Sequence, residues 1–283
     1  MKDFDFLIIG SNGLLGSHLV KTLKEKKIKF LTIARSGSNY NLDLKNYKKL
    51  KNFFHKNKFR IVINCAAKID INFCEVKFNE AKLINYKLVE FLSKMANKFN
   101  FKLVQISTDH VYKGKKFFLN NEKSKIYAIN KYAKTKILSE KPVKKLKKFL
   151  IIRTNFTGKK KNTFLYWLMK NLSKKKTINL FNDMFTSTID IKTCSKVIID
   201  LASRKSKGVY NLGTRDMISK KNFAIYFAKF SKRKILYNSV SCDVLKVSRG
   251  KNLGLCVKKI ENKLGYLMPT AKQSIKELAK YYK

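Results

Sequence analysis

The chain has 283 residues, with 64 Lys+Arg against 18 Asp+Glu and a formal net charge of +46. Its 45% hydrophobic content is ample for a buried core in one or two domains, and no run of 18 apolar residues exists, so no membrane span is expected. Five scattered cysteines with no C-x-x-C pair, and three dispersed histidines, suggest neither a disulfide framework nor a zinc site. A reduced, cytoplasmic protein without a metal is expected, and the opening "MKDFDFLIIG" is not a secretory signal.

Strand and helix signals alternate from the start. "DFLIIG" (5–10) reads as a strand ending in glycine, followed by a helix from Leu14 to about Lys26. "IKFLTIA" (28–34) is the next strand, with a helix near 44–56 after a polar turn. "RIVINCAA" (60–67), a long helix over 77–98 and "KLVQIST" (102–108) continue the pattern. A helix over 127–146 and the strand "KFLIIRT" (148–154) complete it. Strands this apolar, alternating with helices, predict an α/β fold with a doubly wound parallel sheet covered on both faces.

Beyond Asn155 the rhythm loosens. Helices are expected at 162–172, 190–203, 218–231 and from 256 onward, with strands at 177–181 and 208–213. We read a nucleotide-binding domain over 1–155, completed by about 177–206, and a smaller interleaved substrate lobe formed by 156–176 and 207–283.

"GSNGLLG" (10–16) spaces Gly10, Gly13 and Gly16 between the first strand and the first helix. There a tight turn, close approach to a pyrophosphate and the positive helix N-terminus all serve dinucleotide binding. Gly10, Asn12, Gly13, Leu14, Leu15 and Gly16 are the candidate residues. The second strand runs into Arg35 and Ser36 with no acid nearby, which favours the 2′-phosphate of NADPH over NADH by a charge-assisted hydrogen bond of roughly 1.5–3 kcal/mol. Asp43, beside Leu44, would either accept from the adenine amino group or cap the next helix.

"YAINKYAKTK" (127–136) contains two Tyr-x-x-x-Lys pairs, Tyr127–Lys131 and Tyr132–Lys136. Residues four apart share a helix face, whereas the two tyrosines, five apart, point about 140° away from each other. Only one pair can face a cofactor. The strand ending in Ser107 and Thr108 presents hydroxyls where a parallel sheet places its ligands. The runs "KKLKK" (144–148) and "KKK" (159–161, 174–176) read as solvated faces, because base-stacking aromatics are not interleaved with them. No specific nucleic-acid partner is expected, although the positive field favours anionic substrates.

The motifs "GSNGLLG", "VINCAA", "STDHVYKG", "YAKTK" with Glu140, "IIRTNFTG", "NDMFTST" and "GVYNLG" together resemble the extended short-chain dehydrogenases/reductases, and among them the dTDP-4-dehydrorhamnose reductase family. The resemblance covers nearly the whole chain. It selects Tyr132 and Lys136 over the first pair, since only "YAKTK" carries the downstream context, and it adds Thr108 as third catalytic residue. Tyr132 would protonate the nascent alkoxide, Thr108 would bond the same oxygen, and Lys136 would bind the nicotinamide ribose and lower the tyrosine pKa. Ala66 and Ala67 would contact the cofactor; Asp109, Asn155, Phe156 and Arg249 would contact substrate. His110 is not expected to act as acid or base, and Phe164, Leu165, Trp167 and Leu168 are expected to pack a core.

Four elements depart from the family pattern: Ala128 stands for a proline, Phe156 for a tryptophan, Asp183–Thr188 has lost glutamine, glycine and proline, and a late Arg-Pro pair appears as Arg249-Gly250. The resemblance implies NADPH-dependent reduction of a nucleotide-linked 4-keto-6-deoxysugar for surface polysaccharide, with dTDP-4-dehydro-L-rhamnose as first candidate. The expected partners are a nucleotide-sugar substrate and a second copy in a homodimer. Another nucleotide-sugar reductase or epimerase, and a non-catalytic cofactor-binding regulatory subunit, are the alternatives.

Overall fold

The computed structural model describes residues 2–114 and 118–282. The first strand, β1 (Lys2–Ile9), shows why the sheet lies at the centre. Its side chains alternate: Phe6 and Ile8 join one apolar cluster, Leu7 and Ile9 a second on the opposite face. All four are fully buried, so each face must be covered by helices.

Among the described residues, seven parallel strands form this sheet. They are β1, β2 (Phe30–Ala34), β3 (Tyr40–Asn41), β4 (Asn57–Asn64), β5 (Lys102–Thr108), β6 (Phe149–Thr154) and a late strand, Gly208–Leu212, in the order 208–212, β6, β5, β4, β1, β2, β3. The chain runs outward from β1 to β3, then returns to β4 on the other side of β1. Such a reversal opens a crevice beyond the carboxyl ends of β1 and β4. Helix α1 (Leu14–Glu25) packs in the first cluster; α2 (Tyr47–Lys56) packs in the second.

Several elements differ from expectation. The helix expected over 77–98 is interrupted by a π-helical turn, Leu83–Lys87. There buried Asn85 accepts from the Lys68 amide (2.7 Å) and donates to Thr135 Oγ1 (2.9 Å), bonds that fix the widened turn. The strand Thr177–Phe181, expected to complete the nucleotide-binding domain, pairs instead with Leu236–Val240. Only Ile178 and Leu180 of it are buried in the apolar core, so it has one apolar face and suits a sheet covered on one side. Conversely Gly208–Leu212, expected in the lobe, pairs with β6 and buries its last three residues. Three helices, Phe164–Ser173, Lys220–Phe230 and Ala271–Tyr281, surround the Thr177–Phe181 pair with their own apolar cluster. No helix among the described residues is long and apolar enough to cross a membrane.

Candidate active site

The turn after β1 is built for a close approach. Gly10 has φ +79°, in the left-handed region, and a Cβ on it would lie 2.8 Å from the Ala66 nitrogen. A Cβ on Gly16 would lie 2.7 Å from Ser11 Cα, so the first turn of α1 rests directly on the glycine loop. The α1 N-terminus has Gly13 as cap, without a side-chain bond, and no acid in its first turn. Its amides and partial positive charge therefore suit an anion, and the donor set fits a dinucleotide pyrophosphate.

A cavity of about 560 Å³ opens in front of this turn. Gly10, Asn12 and Gly13 form its floor, Arg35, Ser36, Asp43 and Leu44 one end, and Ala66 and Ala67 the side beneath β4. Three anticipated residues lie behind it: Leu15 is buried in the core, Leu14 packs against that core, and Gly16 supports Gly10. Sequence reasoning missed Lys45, Lys68 and Lys160, which line the cavity with further positive charge, and Leu83 and Ile84 from the π turn. Lys160 Nζ donates to the Asn12 carbonyl, and Asn12 Nδ2 donates to that of Ser36. Asp43 does not cap α2: Asn46 does, accepting from the Lys49 amide at 3.0 Å, while Asp43 accepts from Lys45 N.

The two tyrosine–lysine pairs separate clearly. The helix expected from residue 127 begins at Lys131, because Asn130 caps it by accepting from Ala133 N at 2.8 Å. Tyr127 lies outside that helix and is 51% exposed, while Lys131 is bound to the Glu75 carbonyl. Tyr132 and Lys136 share the buried face, at 8% and 3% exposure. Tyr132 shares a side-chain hydrogen bond with Thr108 at the end of β5. Thr108 Oγ1 donates to Asp109 Oδ1 (3.1 Å), Asn155 Nδ2 to Asp109 Oδ2 (2.6 Å), and Thr188 Oγ1 to Asn155 Oδ1 (2.9 Å). A continuous polar chain thus runs from the phenol to Thr188.

Burial sets the protonation of the pair. Desolvation pushes the Tyr132 phenol above its ordinary value, with the Thr108 bond acting against it. The expected lowering by Lys136 is absent from this geometry, since Lys136 Nζ donates to the Ile106 carbonyl at 2.7 Å. Burial lowers Lys136 itself to about 8, with Glu140 opposing. The folded chain thus binds that proton more weakly than the unfolded chain, whose lysine stays near 10.5. Burying this charge costs about 3 kcal/mol below pH 8, and the cost disappears as pH rises towards 10.5. Lys136→Met should therefore melt higher than the parent at pH 7 and lose that advantage by pH 10, as calorimetry at the two pH values would show. An advantage that grew with pH would contradict this.

Glu140, one turn beyond Lys136, is buried and fully bonded. It accepts from Ser107 Oγ (2.8 Å), Arg153 Nε (2.9 Å) and Arg153 Nη2 (2.7 Å). Burial acts to raise its pKa, but the Arg153 guanidinium outweighs it and holds the carboxyl low. Arg153 Nη1 also donates to Tyr112 Oη at 2.8 Å. This network fastens the Tyr132–Lys136 helix to β5 and β6, a role that motif spacing did not disclose.

A second cavity, about 360 Å³, adjoins the polar chain. His110, Asn155, Lys220 and Arg249 supply its polar wall; Phe164, Trp167 and Phe181 supply aromatic rings. Of the four residues expected only to pack a core, Leu165 and Leu168 are fully buried, whereas Phe164 and Trp167 reach the cavity. Phe156 does not line it and packs against the apolar cluster under the sheet. His110 stands edge-on to Tyr132, ring centroids 5.9 Å apart. His110 Nδ1 and Arg249 Nε are buried without a hydrogen-bond partner among the described residues. Elsewhere Asp183, Cys242 and Asp243 bring their ligand atoms within 4.8 Å, but the Lys251 ammonium bridges both carboxylates, at 3.0 and 2.6 Å.

Comparison with known proteins gives a consistent result. A family profile described as the RmlD substrate binding domain matches residues 4–283. The chain is 25% identical over 241 residues to a dTDP-4-dehydrorhamnose reductase of Aggregatibacter actinomycetemcomitans, covering 82% of this chain and 81% of the relative. It is 22% identical to a probable low-salt glycan biosynthesis reductase, Agl14, of Haloferax volcanii, over 96% of each. A crystal structure of dTDP-4-dehydrorhamnose reductase from Bacillus anthracis in complex with NADP superimposes with a TM-score of 0.89 at 23% identity, covering 99% of both chains.

Proposed function

The chain belongs to the RmlD substrate binding domain family, and from that premise we propose that it is an NADPH-dependent reductase of a nucleotide-linked 4-keto-6-deoxysugar. The first candidate substrate is dTDP-4-dehydro-L-rhamnose, reduced to dTDP-L-rhamnose, in keeping with the names of its relatives. One observation carries the reading: Thr108, Tyr132 and Lys136 meet at the carboxyl end of β5, where the polar chain from the phenol leads on through Asp109 to Asn155 in the wall of the second cavity.

The proposed roles draw support from that geometry. Gly10, Gly13 and the α1 N-terminus would hold the pyrophosphate, with Arg35 and Ser36 at the 2′-phosphate end and Lys136 at the nicotinamide ribose. Bound NADPH would supply a hydride to the keto carbon. The developing alkoxide takes the Tyr132 proton, which burial keeps on the phenol at neutral pH, and Thr108 bonds the same oxygen. Asp109 and Asn155, bonded to each other, would receive sugar hydroxyls. We read Thr177–Phe181 with Leu236–Val240 as a pair of the substrate lobe, and Gly208–Leu212 beside β6 as a return of the chain to the nucleotide-binding sheet.

The direct test is NADPH oxidation with dTDP-4-dehydro-L-rhamnose. Turnover supports the assignment, whereas binding of NADPH without oxidation removes the rhamnose substrate. Net NADPH consumption also separates a reductase from an epimerase, which retains its cofactor. Cofactor choice has its own test: Arg35→Asp should lower the NADPH-to-NADH ratio of kcat/KM by roughly 10- to 100-fold. An unchanged ratio would mean that Arg35 is only a surface cation.

A further inference from the structure

We propose that Lys220 is the cation that grips the diphosphate of the substrate and makes the site select nucleoside diphosphates over monophosphates. The inference rests on reading the second cavity as the nucleotide-sugar site.

The cavity has an order along its length. At one end Phe164 and Trp167 stack, centroids 5.7 Å apart, offering a flat apolar surface to a nucleobase. At the other end the chain Thr188–Asn155–Asp109–Thr108 leads to the reacting phenol. Lys220 stands between them, its Nζ 5.3 Å from the Phe164 centroid and 3.5 Å from Thr188 Oγ1. In a nucleotide sugar the diphosphate occupies just this middle position, joining base and ribose on one side to the sugar on the other.

The charge arrangement is incomplete as it stands. Lys220 forms no ion pair among the described residues, and its bond to Thr188 is at the limit of length. Asp109, the carboxylate nearest to it, already accepts from Thr108 and Asn155. Arg249, in the same wall, has a buried Nε with nothing to bond. Lys220 faces an Asp109 carboxylate that is already bonded, and Arg249, which has Asp70 as its opposing carboxylate, keeps an unmet donor among the described residues; together they suit a divalent anion. Burial has already drawn the Lys220 ammonium down to about 8, with Asp109 opposing and Arg249 assisting, so a bound anion would restore its charge.

Titration calorimetry on the full chain with NADPH present would use dTDP and UDP, beside dTMP and UMP, as probes. Lys220→Met should lose roughly 10- to 100-fold in nucleoside diphosphate affinity. Its monophosphate affinity should fall much less, Lys220→Arg should recover most of the loss, and NADPH affinity should not move. Lys220 forms no ion pair among the described residues, and Asp109 keeps its bonds from Thr108 and Asn155 without it, so the methionine variant should fold. A Lys220→Met protein that keeps its diphosphate affinity, or loses mono- and diphosphate alike, overturns the proposal. Should the wild type bind NADPH but neither diphosphate, the nucleotide-sugar reading fails as well. Sugar-nucleotide turnover by the wild type, together with an unchanged KM in Lys220→Met, would sink the Lys220 assignment alone.

Discussion

Tyr132→Phe should lower turnover by roughly 100- to 10,000-fold while leaving NADPH affinity unchanged. The variant keeps the ring that packs beside His110 and removes only the oxygen that meets Thr108. No other hydroxyl in the polar chain is placed to take over: Thr108 is already a donor to Asp109, and Thr188 lies beyond Asn155. Tyr127→Phe is the matched control. That residue is exposed and outside the helix, so the change should have no effect on rate. Equal losses in the two variants, or none in either, would remove Tyr132 from the reaction; fluorescence titration with NADPH separates lost chemistry from lost binding.

The second large effect concerns stability. Glu140→Ala should cost about 3–5 kcal/mol, because removing one member of a buried ion pair leaves the other charge without compensation. Arg153 would be that charge: it is 2% exposed, and its remaining bonds go to Tyr112 and a backbone carbonyl. In a chain of this size such a loss lowers the melting temperature by roughly 10 °C. The pH dependence has a definite sign. The Glu140 carboxyl is held below its ordinary value, so its contribution is complete above that value and fades as pH falls through the lowered one. Glu140→Gln should therefore show a shallower acid-side loss of stability than the parent. Calorimetry between neutral and acid pH would measure both, and a Glu140→Ala protein melting with the wild type would show the network to be dispensable.

The fold was largely legible because buried parallel strands write long apolar runs. Six of the seven sheet strands stood out as "FLII", "FLTIA", "RIVIN", "LVQIS", "FLIIRT" and "VYNL", each flanked by helical patterns. β3 escaped notice because two exposed residues, Tyr40 and Asn41, leave no periodicity. Which sheet Thr177–Phe181 joins is decided by a partner about 60 residues later, and local pattern does not carry such pairing. At the site, Gly10 and Arg35 were visible because their types and spacing are dictated locally, whereas Ala66 and the choice of Tyr132–Lys136 over Tyr127–Lys131 came from the family resemblance. Lys220, Lys160 and the Glu140–Arg153 bond were not, since each acquires its meaning from an element distant in sequence. In a chain with 64 Lys+Arg, two lysines that line cavities carry no composition signal of their own among many solvated ones.

The interlaced connectivity constrains how such a protein can change. The chain contributes Thr177–Phe181 to the lobe, returns to the main sheet with Gly208–Leu212, and enters the lobe again with Lys220–Phe230 and Leu236–Val240. No single cut excises the lobe, and no graft of one contiguous segment replaces it. A new substrate preference would have to arise by exchanging side chains one at a time on a retained frame. Altered residues should then gather around the second cavity while the glycine turn and the Tyr132 helix stay as they are.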